Sequence, residues 1–301
     1  MQDFAGIWVP LITPFTEGAV DHGALKRLVD SLIPAGIAGF VVCGSTGEAA
    51  ALSEAEQLAG LRAVLDASSG LRVIVGVSGV TPGAISSRIA QLHELPLAAC
   101  LVPPPYYVRP SQQGITDFYV SIADASARPI VLYDIPARTG VRIETATMLA
   151  LARHPRIVAV KDCAGDLDHT QAIIDDGRLQ LLAGDDHRIF ATLCQGGAGA
   201  IAASAHLRPE LFVALQRHIL QGELRAARAL WQVLWPLTKA LFDEPSPGPG
   251  PVKAALAQRL SLPGELRAPM TRATPAGAQQ VRDALLRIDA AWPDKAVRAC
   301  P

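Results

Sequence analysis

Neither sign of charge is in excess in this chain: 27 lysines and arginines face 28 aspartates and glutamates, for a net charge of −1. Without a basic face there is no electrostatic hold on nucleic acid or on an anionic membrane, which leaves a small molecule as the expected partner. Cysteine is sparse and scattered. The five, at positions 43, 100, 163, 194 and 300, form no C-x-x-C pair and have no histidine at a zinc-ligand spacing, so they read as buried thiols of a reducing compartment. No uninterrupted apolar span is long enough to cross a bilayer, and Met1-Gln2-Asp3-Phe4-Ala5-Gly6 lacks the basic start and apolar run of a secretory leader. A cytoplasmic location is expected. There is also no Gly-rich phosphate turn after the first apolar run, where Thr13-Pro14-Phe15-Thr16 stands instead, and this argues against an open doubly wound sheet.

What is present is a large apolar content in a βα rhythm. Half of the 301 residues are hydrophobic and the mean hydropathy is +0.26, which allows a sizeable core. Short apolar runs at 7–12, 39–43, 72–77, 97–102, 129–133, 157–161, 179–183 and 198–202 read as strands. Amphipathic segments at 21–33 and 53–67, one opened by Thr81-Pro82, and others at 111–125, 143–153, 168–175 and 185–195 read as the helices between them, with Asp21 as an N-cap and a capping box at Ser53-Glu54-Ala55-Glu56. Eight strands with crossover-length connections predict a (β/α)8 TIM barrel over residues 1–205. Residues 206–301 read as a helical extension packed on it: one long helix over 207–242 kinked at Pro236, then helices at 252–258 and 275–291. Alternating proline and glycine forbid regular structure over 244–251, and residues 292–301 are expected to fray.

In such a barrel the reacting groups sit on the loops after the strands. The run Ile157-Val158-Ala159-Val160 delivers Lys161 to the end of a strand buried on both faces. An ammonium in apolar surroundings loses hydration, so its pKa is expected to fall and free an amine able to form an imine with a carbonyl compound. A lysine that merely caps the strand and points to solvent is the alternative. Tyr133 ends the preceding strand, within a strand spacing of the lysine, or else is a rim aromatic with a wet hydroxyl. Ser45 and Thr46 lie between Gly44 and Gly47, where a sharp turn can offer N–H groups and hydroxyls to a carboxylate, or be a plain polar loop. Arg138 offers a two-pronged donor for a carboxylate, or an ordinary surface ion pair.

The set GSTGE at 44–48, PPYYVRPSQQG at 104–114, YDIPARTG at 133–140, VKD at 160–162 and LAGDD at 182–186 resembles the dihydrodipicolinate synthase and N-acetylneuraminate lyase family, in order and over nearly the whole chain. Arg138-Thr139-Gly140 is similar to the synthase branch. The resemblance implies a pyruvate-dependent lyase of the class I aldolase type. Lys161 would form the Schiff base and Tyr133 would give and take protons beside it. Ser45 and Tyr107 would complete a hydroxyl relay, with Tyr107 reaching into a neighbouring subunit's site. Thr46 would bind the pyruvate carboxylate, Arg138 the carboxylate of the aldehyde, and Gly184 and Ile201 would line the pocket through their backbones. It further implies a homo-oligomer, a dimer of dimers. No organic cofactor is implied, and no metal is needed because the imine withdraws the electrons.

Three readings of function follow. The first is condensation of pyruvate with aspartate semialdehyde to hydroxytetrahydrodipicolinate. The second keeps Lys161, Tyr133 and pyruvate but changes the aldehyde, or cleaves a 2-oxo acid. The third is a 2-oxo acid binding protein without turnover. Two departures from the synthase pattern bear on them. Ser45-Thr46 replaces two threonines and keeps the hydroxyl. Asp134 replaces an asparagine and is expected to bring negative charge near the mouth, against an acidic aldehyde. Glu54, Gln57 and Ala84 stand where lysine-sensitive synthases carry histidines and a glutamate, so inhibition by lysine is not expected. The Gly-Pro lengthening at 246–251 has no functional reading.

Overall fold

The computed structural model describes residues 3–243 and 248–293. Eight parallel strands close on themselves: β1 (Gly6–Pro10), β2 (Gly39–Val42), β3 (Arg72–Gly76), β4 (Ala99–Val102), β5 (Ile130–Asp134), β6 (Ile157–Asp162), β7 (Gln180–Ala183) and β8 (Gly199–Ile201). Each pairs with its sequence neighbour, and β8 pairs with β1. The expected TIM barrel is therefore the observed fold. Between the strands run α1 (His22–Leu32), α2 (Glu54–Ala67), α3 (Pro82–Gln91), α4 (Gln112–Ala125), α5 (Pro136–Thr139), α6 (Thr145–Leu151), α7 (Leu167–Asp176) and α8 (Ile189–Cys194). Asp21 caps α1 by accepting from Ala24 N, and Ser53 with Glu56 forms the expected capping box of α2.

The strands are buried on both faces because side chains alternate between two cores. Trp8, Val41, Ile74, Leu101, Val131, Tyr133, Leu182 and Ile201 fill the barrel lumen. Their strand neighbours pack outward against the helices in a larger shell core with Phe40, Val73, Leu132 and Val160. Parity along a strand thus decides which side chains reach the barrel mouth and which lie behind it.

Several expectations of the extension are corrected. Residues 207–242 are two helices, α9 (Pro209–Leu220) and α10 (Leu224–Phe242), separated at Gly222, whose φ of 74° suits a residue without a Cβ. Pro236 lies inside the second. In the Pro/Gly stretch, residues 249–251 open α11 (Pro249–Leu260), with Pro249 in the first turn, where a missing N–H costs nothing. Residues 244–247 and 294–301 lie outside the described residues. The last helix, α12 (Pro275–Ala291), has its expected bounds. A small hairpin, Phe15–Thr16 with Ala19–Val20, and the single turn α5 were not anticipated. No helix among the described residues is long and apolar enough to cross a membrane. Cys43 and Cys100 are buried as expected, Cys163 is half-buried, and Cys194 is exposed, against expectation.

His206, in the turn after β8, holds this end of the barrel together. Its Nε2 accepts from Ile12 N at 3.2 Å and its Nδ1 faces Ala203 O at 2.8 Å. Burial pushes its pKa down to about 4, so the folded state keeps the ring neutral. The contribution is whole above the ordinary histidine pKa and is lost as pH falls from there toward the folded value. Urea unfolding should show about 2 kcal/mol less stability from this group at pH 5 than at pH 8, and His206→Gln should flatten that part of the pH dependence.

Candidate active site

The C-terminal ends of the strands surround a cavity of about 590 Å³. Lys161 and Tyr133 are register partners on β6 and β5, and the lysine Nζ stands 4.3 Å from the centre of the phenol ring. Both are buried. Ser45 Oγ lies 3.4 Å from Tyr133 Oη, about half an ångström beyond a normal O–H···O bond. Thr46, buried, occupies the same turn, Ser45–Gly47, and lines the cavity. Arg138, on α5, faces the cavity from the loop after β5, and Gly184 and Ile201 line it. Seven of the eight side chains singled out in the sequence therefore meet in one cavity. Tyr107 does not. It is 91% exposed on the outer surface after β4, in a left-handed backbone conformation with φ of 72°.

Gly184 is there because a side chain would not fit. A Cβ on it would fall 2.6 Å from Lys161 Cγ and 2.5 Å from Cys163 Sγ. The lysine stem runs across the bare backbone of the strand end beside it.

The expected depression of the Lys161 pKa is not what the surroundings produce. Burial pulls it down, but Tyr133, Cys163 and the Asp186 carboxylate together outweigh that and leave it above the usual lysine value. The ammonium is therefore the favoured form of the side chain. Asp186 is itself held in place by Ser204 N at 2.6 Å and Ala203 N at 3.3 Å, and burial raises its pKa.

Asp134 also departs from expectation. It is fully buried and absent from the cavity lining, because strand parity turns it to the shell side opposite Tyr133. Burial, with Asp162 adding repulsion, pushes its carboxyl up to about 7. The mouth does not carry its charge. The cavity instead includes Asp186, His187, Phe242 and Met270, none of which was singled out by itself in the sequence. Asp186 sits inside the LAGDD run, which was the available signal. His187, edge-on to Trp235 and Phe242 at 5.6 and 5.7 Å, and Met270 have no local signal, since only the packing of the extension brings those walls together.

The loop that carries Ser45 and Thr46 ends at Glu48, in a left-handed conformation with φ of 54°. Its carboxylate accepts from the buried Lys253 ammonium at 2.5 Å and from Arg267 N at 3.0 Å. The extension thus grips the loop.

Fold and site together define a (β/α)8 barrel enzyme with a buried lysine at the end of one strand and a tyrosine at the end of the next. The chain belongs to the dihydrodipicolinate synthetase family, whose model matches residues 3–288. It is 38% identical over 291 residues to a 4-hydroxy-tetrahydrodipicolinate synthase of Hyphomonas neptunium, covering 95% of this chain and 98% of that one. It is 36% identical over 291 residues to the enzyme of that name from Haloarcula marismortui, covering 95% and 94%. The solved structure of the synthase from Methylacidiphilum fumariolicum SolV superposes with a TM-score of 0.91 at 30% identity, covering 96% of this chain and 97% of that one.

Gly184→Ala should keep the barrel folded but displace the Lys161 stem. The rate of imine formation with pyruvate, followed in rapid-mixing experiments, should fall roughly 10- to 100-fold, as expected for a nucleophile moved by about an ångström.

Proposed function

We propose that this protein is a 4-hydroxy-tetrahydrodipicolinate synthase, a lyase that joins pyruvate to aspartate semialdehyde through an imine on Lys161. The observation that carries the reading is the pairing of Lys161 with Tyr133 at the closed end of the cavity, within reach of Ser45. Its relatives in the family bear that name.

The chemistry follows from the residues. Pyruvate enters with its carboxylate at Thr46 and the backbone of the Ser45–Gly47 turn. The Ser45 and Tyr133 hydroxyls relay a proton from the Lys161 ammonium to solvent, the amine attacks the keto carbon, and Tyr133 gives its proton to the hydroxyl that leaves as water, forming the imine and leaving a phenolate to act as base. The imine draws electrons from the adjacent methyl, a proton leaves to Tyr133, and the enamine carbon attacks the aldehyde, whose carboxylate is held by Arg138. Tyr133 then protonates the new alkoxide, and attack of the product's own amine on the imine carbon releases Lys161 as free amine. Because Asp134 faces the shell, nothing from that position opposes an acidic aldehyde.

Tyr107 takes part only if a second copy carries it to the cavity. Its exposure, beside the half-exposed Tyr106 and Val108, supports a homo-oligomer in which this segment is covered. The dimer of dimers is proposed on the same ground. The cytoplasmic location rests on the expectation from sequence.

Borohydride reduction in the presence of pyruvate should add a single adduct, mapped by mass spectrometry to Lys161, and the preparation should turn over aspartate semialdehyde. An adduct without turnover would leave only the lysine chemistry, and no adduct would overturn the proposal. Tyr133→Phe should cost roughly 100-fold or more in kcat. Arg138→Ala should leave the adduct intact and raise the KM for the aldehyde. Since Lys161 rests as an ammonium, imine formation should quicken as pH rises above neutral.

Gln57 Nε2 is bonded to Ala49 O at 3.0 Å, and Arg88 reaches both Glu54 and Gln57 at 3.5 Å, so these polar groups are engaged within the chain. Activity should be unchanged in millimolar lysine, and a saturating inhibition curve would refute this.

A further inference from the structure

Behind the reacting pair, on the shell side of the same two strands, lies a buried group that the chemistry does not use. Asp134 and Asp162 are register partners on β5 and β6, so two carboxylates stand side by side with their backbones one strand spacing apart. α7 covers them with His169. All three residues are buried, and one potential ligand atom from each lies within 4.8 Å of the others.

The hydrogen bonds around them are complete except at the centre. Asp162 accepts from Ala164 N and Thr170 Oγ1, each at 2.8 Å, and Asp134 Oδ1 accepts from Ile143 N at 3.2 Å. His169 Nδ1 is paired with Thr145 Oγ1 at 2.8 Å. Asp134 Oδ2 and His169 Nε2, both on fully buried side chains, have no partner, and they face each other at 3.9 Å. That gap is too wide for a proton to bridge, since an N–H···O bond closes at about 3.2 Å. It is slightly less than twice a metal–ligand bond of about 2.0–2.2 Å, so one ion between the two atoms would meet both at normal length.

Charge points the same way. Two adjacent carboxylates without water cost free energy unless one takes up a proton, as the raised Asp134 pKa reflects, or a cation joins them. The nearest guanidinium, Arg142, is drawn aside by Asp166 at 2.9 Å. Thr145, which pairs with the outer nitrogen of His169, also lines a surface cavity of about 600 Å³ with Arg142 and Asp166, so one residue separates the imidazole from that cavity. A ligating imidazole is usually oriented by a hydrogen bond from its far nitrogen, and Thr145 Oγ1 is placed to accept one from His169 Nδ1.

We propose that Asp134, Asp162 and His169 form a binding site for one small divalent cation of the zinc or manganese class, structural in role, which ties α7 to the back of the strands carrying Tyr133 and Lys161. Two carboxylates and one imidazole suit these ions, and two carboxylates with a neutral histidine balance their charge. The Schiff-base chemistry remains metal-free, and the site stands or falls independently of the proposed activity. Asp134, the residue that departs from the synthase pattern, supplies the ligand an asparagine would provide only weakly.

The test uses the full chain stripped with EDTA. Titration with Co2+ should give ligand-field absorption saturating at one ion per chain, and Zn2+ should compete it away. Saturating Zn2+ should raise the melting temperature by roughly 5 °C. Asp134→Asn and, independently, His169→Gln should abolish the absorption and the shift, while His154→Gln, on an exposed pair with Asp124, should keep both. Absence of binding by the wild-type chain would overturn the proposal and leave a direct Asp134–His169 contact. Binding that survives both folded variants would overturn it as well, by placing the ion elsewhere.

Discussion

The buried ion pair between Lys253 and Glu48 is the constraint on which the geometry of the mouth rests. The ammonium is fully buried, bonded to Glu48 at 2.5 Å and to Glu265 O at 2.7 Å, and lies 4.2 Å from the centre of the Phe15 ring. Burial lowers its pKa, and Glu48 works against that loss. Taking away one partner of such a pair strands a charge in a dry site, at a cost of about 3–5 kcal/mol. Two parts of the chain some 200 residues apart are therefore locked where Glu48 ends the turn that places Ser45 and Thr46. The extension is part of how the barrel holds its loop.

The barrel was legible in the sequence because its strands are short apolar runs and its helices carry their own start signals, as at Asp21, Ser53, Thr81 and Ser111. The floor of the cavity was legible for the same reason: Tyr133 and Lys161 end adjacent strands, and adjacency in a parallel sheet follows from chain order. What was not legible depended on contacts distant in sequence. Gly222 breaks a helix that its amphipathic pattern would continue, and Pro249 starts one where composition argued for none. His187 and Met270 reach the cavity through the packing of the extension, which no local pattern encodes.

Two expectations about charge failed, each for its own reason. Lys161 was expected to lose its proton through burial, and Asp134 to gain influence at the mouth through proximity in sequence. Burial is only one influence on an ionisable group. Tyr133 and Cys163 oppose it, with the Asp186 carboxylate adding the least, and they leave the Lys161 pKa above the usual lysine value. For Asp134 the deciding quantity was parity, which sends consecutive residues to opposite sides of a sheet.

That alternation makes each of the two strands a party wall. On one side Tyr133 and Lys161 face the lumen; on the other Asp134 and Asp162 face α7. Only one peptide separates tenants that never meet, so each side can be refurnished without disturbing its neighbour, provided the strands do not slide. A slip of one residue would exchange the rooms, setting a carboxylate where the amine belongs. Register between β5 and β6 thus decides which side chains the cavity holds.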